Sequence, residues 1–224
     1  MSPVSKLRVV LTGATGMVGE GVLLECLHNP DVEQVLIVSR KPSPRKHPKL
    51  AELIVPDFFS LDSVVDQLTG FNACFFCAGV SSVGLSESDY THITYDLTLS
   101  FARALAALNP TMTFIYVSGA GTDSSENGRS MWARVKGRTE NALQRVGFAH
   151  VYCFRPGFMR ATPGQRNLLT SYKLFAWLYP IARVVVPQYV STLRQVALAM
   201  IYVALNGYSK PILEVRDINA LSRA

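Results

Sequence analysis

Leu7-Arg8-Val9-Val10-Leu11-Thr12-Gly13-Ala14-Thr15-Gly16-Met17-Val18-Gly19 is the stretch that decides the fold. Its apolar, β-branched start reads as a buried strand, and its glycine loop opens an apolar helical stretch that runs to Leu27. The glycines at 13, 16 and 19 give a GxxGxxG spacing rather than the commoner GxGxxG. The chemistry served is the same. One glycine permits the sharp strand-to-helix turn, a second lets backbone approach a pyrophosphate, and a third lets the helix pack closely on the strand. The helix N-terminus then offers unpaired N–H groups and partial positive charge to the phosphates. Glycine triplets also occur as plain structural turns. Placed after a strand and before a helix, this one predicts dinucleotide binding, with Gly13, Thr15, Gly16, Met17 and Val18 as contacts.

A chain of 224 residues suits one α/β domain with a small appended lobe. Its hydrophobic fraction of 49% supports a large core, and 17% charged residues argues against disorder. The net charge of +6 favours anionic ligands, a phosphorylated cofactor among them. No apolar run precedes the first strand, so no signal peptide is expected. The most apolar late segment, Leu168 to Val186, carries Lys173, Pro180 and Arg183, so no membrane span is expected either. A cytoplasmic protein is the expectation from these features. Cys74 and Cys77 form a CxxC, but on a strand an i, i+3 pair points to opposite faces, and packing thiols are the better reading. His28, His47, His92 and His150 are scattered without metal-ligand spacing, and no metal site is expected.

Strand signals fall at Leu7–Leu11, Gln34–Ser39, Ala51–Val55, Ala73–Cys77, Thr113–Ser118 and His150–Arg155. Helical signals fall between them at Gly16–Leu27, Leu61–Leu68, Asp89–Leu108 and Met131–Val146. Continuous apolar strands such as Cys74-Phe75-Phe76-Cys77 suit a parallel sheet covered on both faces. This alternation predicts a Rossmann-like, doubly wound α/β fold spanning residues 1–224, with 158–224 contributing a small substrate or cover lobe. Arg40–Pro48, basic and proline-rich, reads as a surface loop. Beyond Arg155-Pro156-Gly157, a final helix is expected near Thr192–Leu205 and a short strand at Ile212–Val215.

The second strand ends in Ser39-Arg40-Lys41, where NAD-binding folds place an acidic residue for the ribose 2′-OH. Arg40 instead suits a 2′-phosphate, through a charge-assisted contact of about 1.5–3 kcal/mol. A solvated loop charge is the other reading of Arg40. NADP is therefore expected over NAD. Asp57 and Phe58, just after the third strand, are candidates to contact the adenine, and Asp57 equally suits the cap of the helix near Leu61.

These residues resemble the atypical and extended short-chain dehydrogenase/reductase superfamily. The likeness is greatest to the oxidoreductase-like branch of the Tat-interacting protein and bacterial NAD(P)-dependent epimerase/dehydratase-like proteins. The markers are residues 12–19, Cys77-Ala78-Gly79, Tyr116-Val117-Ser118, Val135-Lys136-Gly137 and Arg155-Pro156-Gly157. The resemblance implies cofactor contacts at Cys77, Ala78, Gly79, Lys136 and Pro156. It also implies that Ser118 holds a substrate carbonyl and that Lys136 grips the nicotinamide ribose. The family tyrosine, four residues before the lysine, is here Trp132. An indole N–H donates but does not titrate usefully, so the usual proton shuttle is missing.

Three readings follow from Trp132. The protein is a weak or specialised oxidoreductase on a small carbonyl or hydroxyl substrate, with Tyr90, Tyr95 or a water on Ser118 moving the proton. It is a silent NADPH-binding regulator or scaffold acting through protein contacts. Or the alignment of 131–137 is shifted. For each tyrosine, packing is the plainer role. The aromatic segment 172–189, with Phe175, Trp177 and Tyr179, suits a substrate cover, a homodimer or protein-partner contact, a membrane surface, or a core helix. Nucleic-acid binding is not expected, because the basic residues form no continuous stripe.

Overall fold

Val9, Val10 and Leu11 are all fully buried, because β1 (Leu7–Thr12) runs inside a sheet with helices on both faces. The computed structural model describes residues 6–167, 179 and 184–224. Alternate side chains of β1 serve opposite cores: Val9 and Leu11 on one side, Val10 on the other. The same division recurs in β4 (Ala73–Phe76), where Phe75 and Phe76 part to the two faces. Cys74 packs into one core and Cys77 against the other, so the CxxC is split across the sheet.

The remaining strands of the main sheet are β2 (Val32–Ser39), β3 (Leu50–Ile54), β5 (Thr113–Val117), β6 (His150–Arg155) and β9 (Ile212–Glu214). Every pairing is parallel, in the order β3-β2-β1-β4-β5-β6-β9. The order reverses between β1 and β4, and the crevice at that switch is where open α/β sheets take ligands. A Rossmann-like doubly wound fold is thus observed. One face is covered by α1 (Met17–His28) and α5 (Leu193–Asn206). The other is covered by α3 (Leu97–Leu108) and α4 (Met131–Leu143), together with a 3₁₀ stretch at Asp62–Leu68.

Local chemistry sets the element ends. Thr192 and Gln195 form a reciprocal capping box that starts α5. The helix expected over Asp89–Leu108 starts earlier, as α2 (Glu87–Thr91), because the Ser86 hydroxyl accepts the Asp89 N–H at 3.1 Å. It then passes through a π-helical turn at His92–Asp96 before α3. A second small parallel sheet, β7 (Phe158–Arg160) with β8 (Val190–Thr192), and the short helix α6 (Val215–Leu221) carried no periodic signal of their own. Within 158–224, β9 extends the main sheet and α5 lies against α1, while β7 and β8 stand apart from the main sheet. Phe175 and Trp177 of the aromatic segment lie outside the described residues. Tyr179 is buried, with the Arg160 guanidinium 5.5 Å from its ring centre. Among the described residues no helix is long and apolar enough to cross a membrane.

The first helix is locked by contact between glycines. A Cβ on Gly19 would stand 2.2 Å from the Gly13 carbonyl oxygen, a backbone atom that cannot swing away. Gly19→Ala should therefore lower the unfolding free energy in urea by about 3 kcal/mol, the upper end of overpacking costs. Gly79→Ala, with open space around the new methyl, should stay within about 0.5 kcal/mol of wild type. Equal stabilities would refute the packing argument.

Candidate functional site

A cleft of about 420 Å³ opens at the C-terminal ends of β1, β2 and β4. Its size falls within the range of small-molecule sites. Gly13, Thr15, Gly16, Arg40, Asp57, Phe58, Cys77, Ala78 and Gly79, all named from the sequence, line it. Gly13 turns the chain with φ +71°, and its missing Cβ would otherwise lie 2.6 Å from the Cys77 carbonyl. Thr12 Oγ1 accepts the Ala78 N–H at 3.2 Å, joining the two strand ends that form the floor. Gly16, at the helix start, donates to the Gly13 carbonyl at 2.8 Å. The next N–H groups form the anion-seeking first turn of α1. Met17 is buried in the core and the half-buried Val18 packs against it, and neither is among the residues that line the cleft.

Arg40 is exposed at the cleft edge. Asp57 Oδ1 accepts the Phe59 N–H at 2.9 Å in a tight turn, so it does not cap the following 3₁₀ stretch, whose cap residue is Leu61. The Phe58 ring is turned inward and stacks on Phe101 at 5.4 Å. The aromatic surface at the rim comes instead from Phe59 and His92, stacked 4.8 Å apart and 11° from parallel. His92, Ile93 and Leu97 all reach the cleft, and the π turn brings His92 toward Leu97, five residues on.

Ser118 and Lys136 are brought together one strand across, just past β5 and on α4, outside the residues that line the cleft. Lys136 Nζ donates to the Ser118 carbonyl. Burial pushes the Lys136 ammonium down to about 8, against the Glu140 charge that pulls it up. The Ser118 hydroxyl is turned into the protein, donating to Glu140 Oε1 at 2.5 Å and lying 3.1 Å from the Phe154 carbonyl. Glu140 is itself held by Arg155, through Nε at 3.1 Å and Nη2 at 2.5 Å. Arg155 continues to Glu214 Oε1 at 3.1 Å and Ser124 Oγ at 2.5 Å. Sequence reading missed both Glu140 and Arg155 as a pair. Their signal was a carboxylate one turn past Lys136 and an arginine closing an apolar strand.

Trp132 stands one helical turn before Lys136 and reaches over Gly121, where an added Cβ would lie 3.5 Å from the ring. Pro156 is buried and its carbonyl accepts the Ala120 N–H at 2.9 Å, fixing the loop after Ser118. Of the tyrosines, Tyr90 is 1% exposed and burial raises its pKa, which opposes proton release near neutrality. The Tyr95 ring lies under the Arg138 guanidinium at 4.3 Å. Among the described residues no group of three or more His, Cys, Asp or Glu is placed to hold a metal ion.

A glycine-turn cleft at the switch of an all-parallel sheet, beside a strand-end Ser and helix Lys, defines a dinucleotide-binding protein of the short-chain dehydrogenase/reductase type. The chain belongs to the NAD dependent epimerase/dehydratase family, which matches residues 9–129. It is 30% identical over 167 residues to the mitochondrial protein fmp52 of Emericella nidulans, covering 71% of this chain and 69% of that one. It is 31% identical over 141 residues to leucinostatins biosynthesis cluster protein T of Purpureocillium lilacinum. That match covers 61% of this chain and only about half, 51%, of the relative. Among solved structures, Bordetella bronchiseptica WbmF in complex with NAD+ and UDP superposes with a TM-score of 0.67 at 16% identity, over 98% of this chain and 77% of that one. L-Sorbose reductase from Gluconobacter frateurii, complexed with NADPH and L-sorbose, gives 0.63 at 13% identity, over 93% and 94%. These two likenesses concern the fold. The family supports a nicotinamide cofactor and an oxidoreductase-like function. The expected cytoplasmic location is corrected by the fmp52 relatives, which are named mitochondrial. Lack of an apolar leader had suggested the cytoplasm, but that pattern reports on secretion and not on other compartments.

The Lys136 amine should titrate near pH 8, carrying its charge below that value and losing it above. After reductive ¹³C-methylation, the Lys136 resonance, assigned with Lys136→Arg, should shift with a midpoint near 8. A midpoint near 10.5, the ordinary lysine value, would show that the amine is not desolvated.

Proposed function

We propose that this protein binds NADP(H) in preference to NAD(H) and acts as a weak or specialised oxidoreductase on a small carbonyl or hydroxyl compound. The observation that carries the reading is Arg40 at the edge of the glycine-turn cleft, at the end of β2, with no carboxylate at that strand end to hold a 2′-OH. Gly13 and Gly16 line the cleft with backbone that a pyrophosphate can approach, and the Phe59–His92 face offers a flat surface to an adenine ring. The bound cofactor would supply hydride. Lys136 would hold the nicotinamide ribose on the β5 side of the cleft. Phosphate recognition by α1 and Arg40 is the same whichever substrate is used. The names of the fmp52 relatives support a mitochondrial location.

A second reading, a silent cofactor-binding regulator, is favoured by two observations. Trp132 stands where a tyrosine would shuttle the proton, and the Ser118 hydroxyl is committed to Glu140. Contacts through segment 172–189, whether between two copies or to another protein, belong to the same reading.

Calorimetry should show tighter binding of NADPH than NADH, and Arg40→Ala should weaken NADPH alone by about ten- to a hundred-fold. Equal affinities, or an unchanged NADPH affinity in the variant, would overturn the NADP assignment. Single-turnover NADPH oxidation across a carbonyl panel should be slow, since general acid catalysis contributes about 10²–10⁴-fold. Trp132→Tyr should recover part of that factor. Fast wild-type turnover that survives Ser118→Ala with Lys136→Ala would place the chemistry elsewhere.

A further inference from the structure

Glu20 lies in the first turn of α1, with its backbone N–H on the Gly16 carbonyl at 2.9 Å. Its side chain is only 2% exposed. Such a carboxylate stabilises its own helix, but it also competes with an anionic ligand for the positive field at that terminus. In a buried position the competition is weakly screened. A dinucleotide site built on this turn therefore needs the charge cancelled.

The cancelling groups come from two distant parts of the chain. Arg45 Nη2 reaches Glu20 Oε1 at 2.6 Å and the Gly164 carbonyl at 2.9 Å. The backbone N–H groups of Arg166 and Asn167 donate to the same carboxylate, the former at 3.1 and 3.0 Å and the latter at 2.7 Å. Gln165 Nε2 donates to the Met17 carbonyl at 2.7 Å, so residues 164–167 lie against the first turn of the helix. Burial alone would raise the Glu20 pKa, but Arg45 and the two backbone donors outweigh it and keep the carboxylate ionised. Arg45 is also on the loop that begins with Arg40, so one arginine joins that loop, α1 and the chain beyond β7.

We propose that Arg45 and Glu20 form a charge-compensated clamp that keeps the first turn of α1 attractive to a dinucleotide's pyrophosphate while holding residues 164–167 against it. The inference rests on the dinucleotide reading above. Arg45 acts here as a positioning residue, since it is not among the residues lining the cleft. Its effect falls on the pyrophosphate, common to both cofactors, and not on the 2′-phosphate.

The test is a double-mutant cycle of Arg45→Met and Glu20→Gln in the full chain, titrated with NADPH and NADH by calorimetry. Arg45→Met should weaken both cofactors alike, by about ten-fold, the scale of one charge against a helix terminus. Glu20→Gln should bind no more weakly than wild type, and the double variant should return to within about two-fold of it. A merely structural clamp gives the opposite pattern: both single variants lose affinity and the double is no better. That result overturns the proposal. Loss of NADPH binding alone in Arg45→Met also overturns it, by making Arg45 a 2′-phosphate contact. If Arg45→Met fails to fold, Glu20→Gln and the double variant still decide, and weaker binding in either refutes the clamp. Wild-type protein that binds neither cofactor refutes the dinucleotide reading itself and the clamp with it, whereas wild-type binding with the wrong cycle refutes the clamp only.

Discussion

Backbone runs against backbone at Gly13, and the rest of the architecture depends on that approach. The end of β4 passes where a Gly13 side chain would be, and α1 rests its Gly19 on the Gly13 carbonyl. Two strands and a helix are thus fixed at one residue, with β1 and β4 at hydrogen-bonding distance and the helix terminus directed at the gap between them. The cleft is the space this arrangement leaves at the strand ends. A larger residue at either glycine separates layers that the apolar residues of both cores have already brought together.

A second constraint acts on the other side of the crevice. The buried Glu140–Arg155 pair joins α4 to β6 and extends to Ser118, Ser124 and Glu214. Buried pairs contribute little net stability over apolar replacements, because desolvation offsets the attraction. Breaking one leaves an uncompensated charge, which is strongly destabilising. Such a pair therefore fixes where its elements sit more than how tightly they hold. Here it fixes the strand-end serine relative to the helix lysine. Gly137 adds a steric condition, since a Cβ there would run into the Asp123 carbonyl, and so α4 lies directly on the loop after Ser118.

Both sides of the crevice handle charge in the same way. On one, Glu20 is covered by Arg45 and backbone donors; on the other, Glu140 is covered by Arg155. Each carboxylate is buried and already paired, which leaves the exposed Arg40 and the helix terminus to face an anion. Lys136, desolvated beside Glu140, keeps a charge that can be lost near neutral pH. The electrostatics thus follow from which ions are paired inside the protein rather than from the net charge of +6.

The strands of the main sheet, the glycine turn and part of the cleft lining were legible in the sequence, because they rest on local chemistry. Apolar alternation reports burial, and glycine spacing reports where a Cβ cannot fit. Arg40 followed from its place after the second strand, whereas Cys77, Ala78 and Gly79 came from the family resemblance of the stretch after the fourth. What the chain alone did not disclose depends on partners far apart in sequence. Glu20 meets Arg45 and residues 166–167, Glu140 meets Arg155, and β7 pairs with β8 across some 30 residues. The inward turn of Phe58 and the rim position of Phe59 depend on Phe101, and the His92 face depends on a π turn that shifts the helical period. By itself the sequence determined the doubly wound sheet and its glycine cleft, through periodicity and steric exclusion. Only the tertiary structure decided which charges are cancelled and where the Ser118 hydroxyl points, because a buried ion takes whatever partner the packing brings to it.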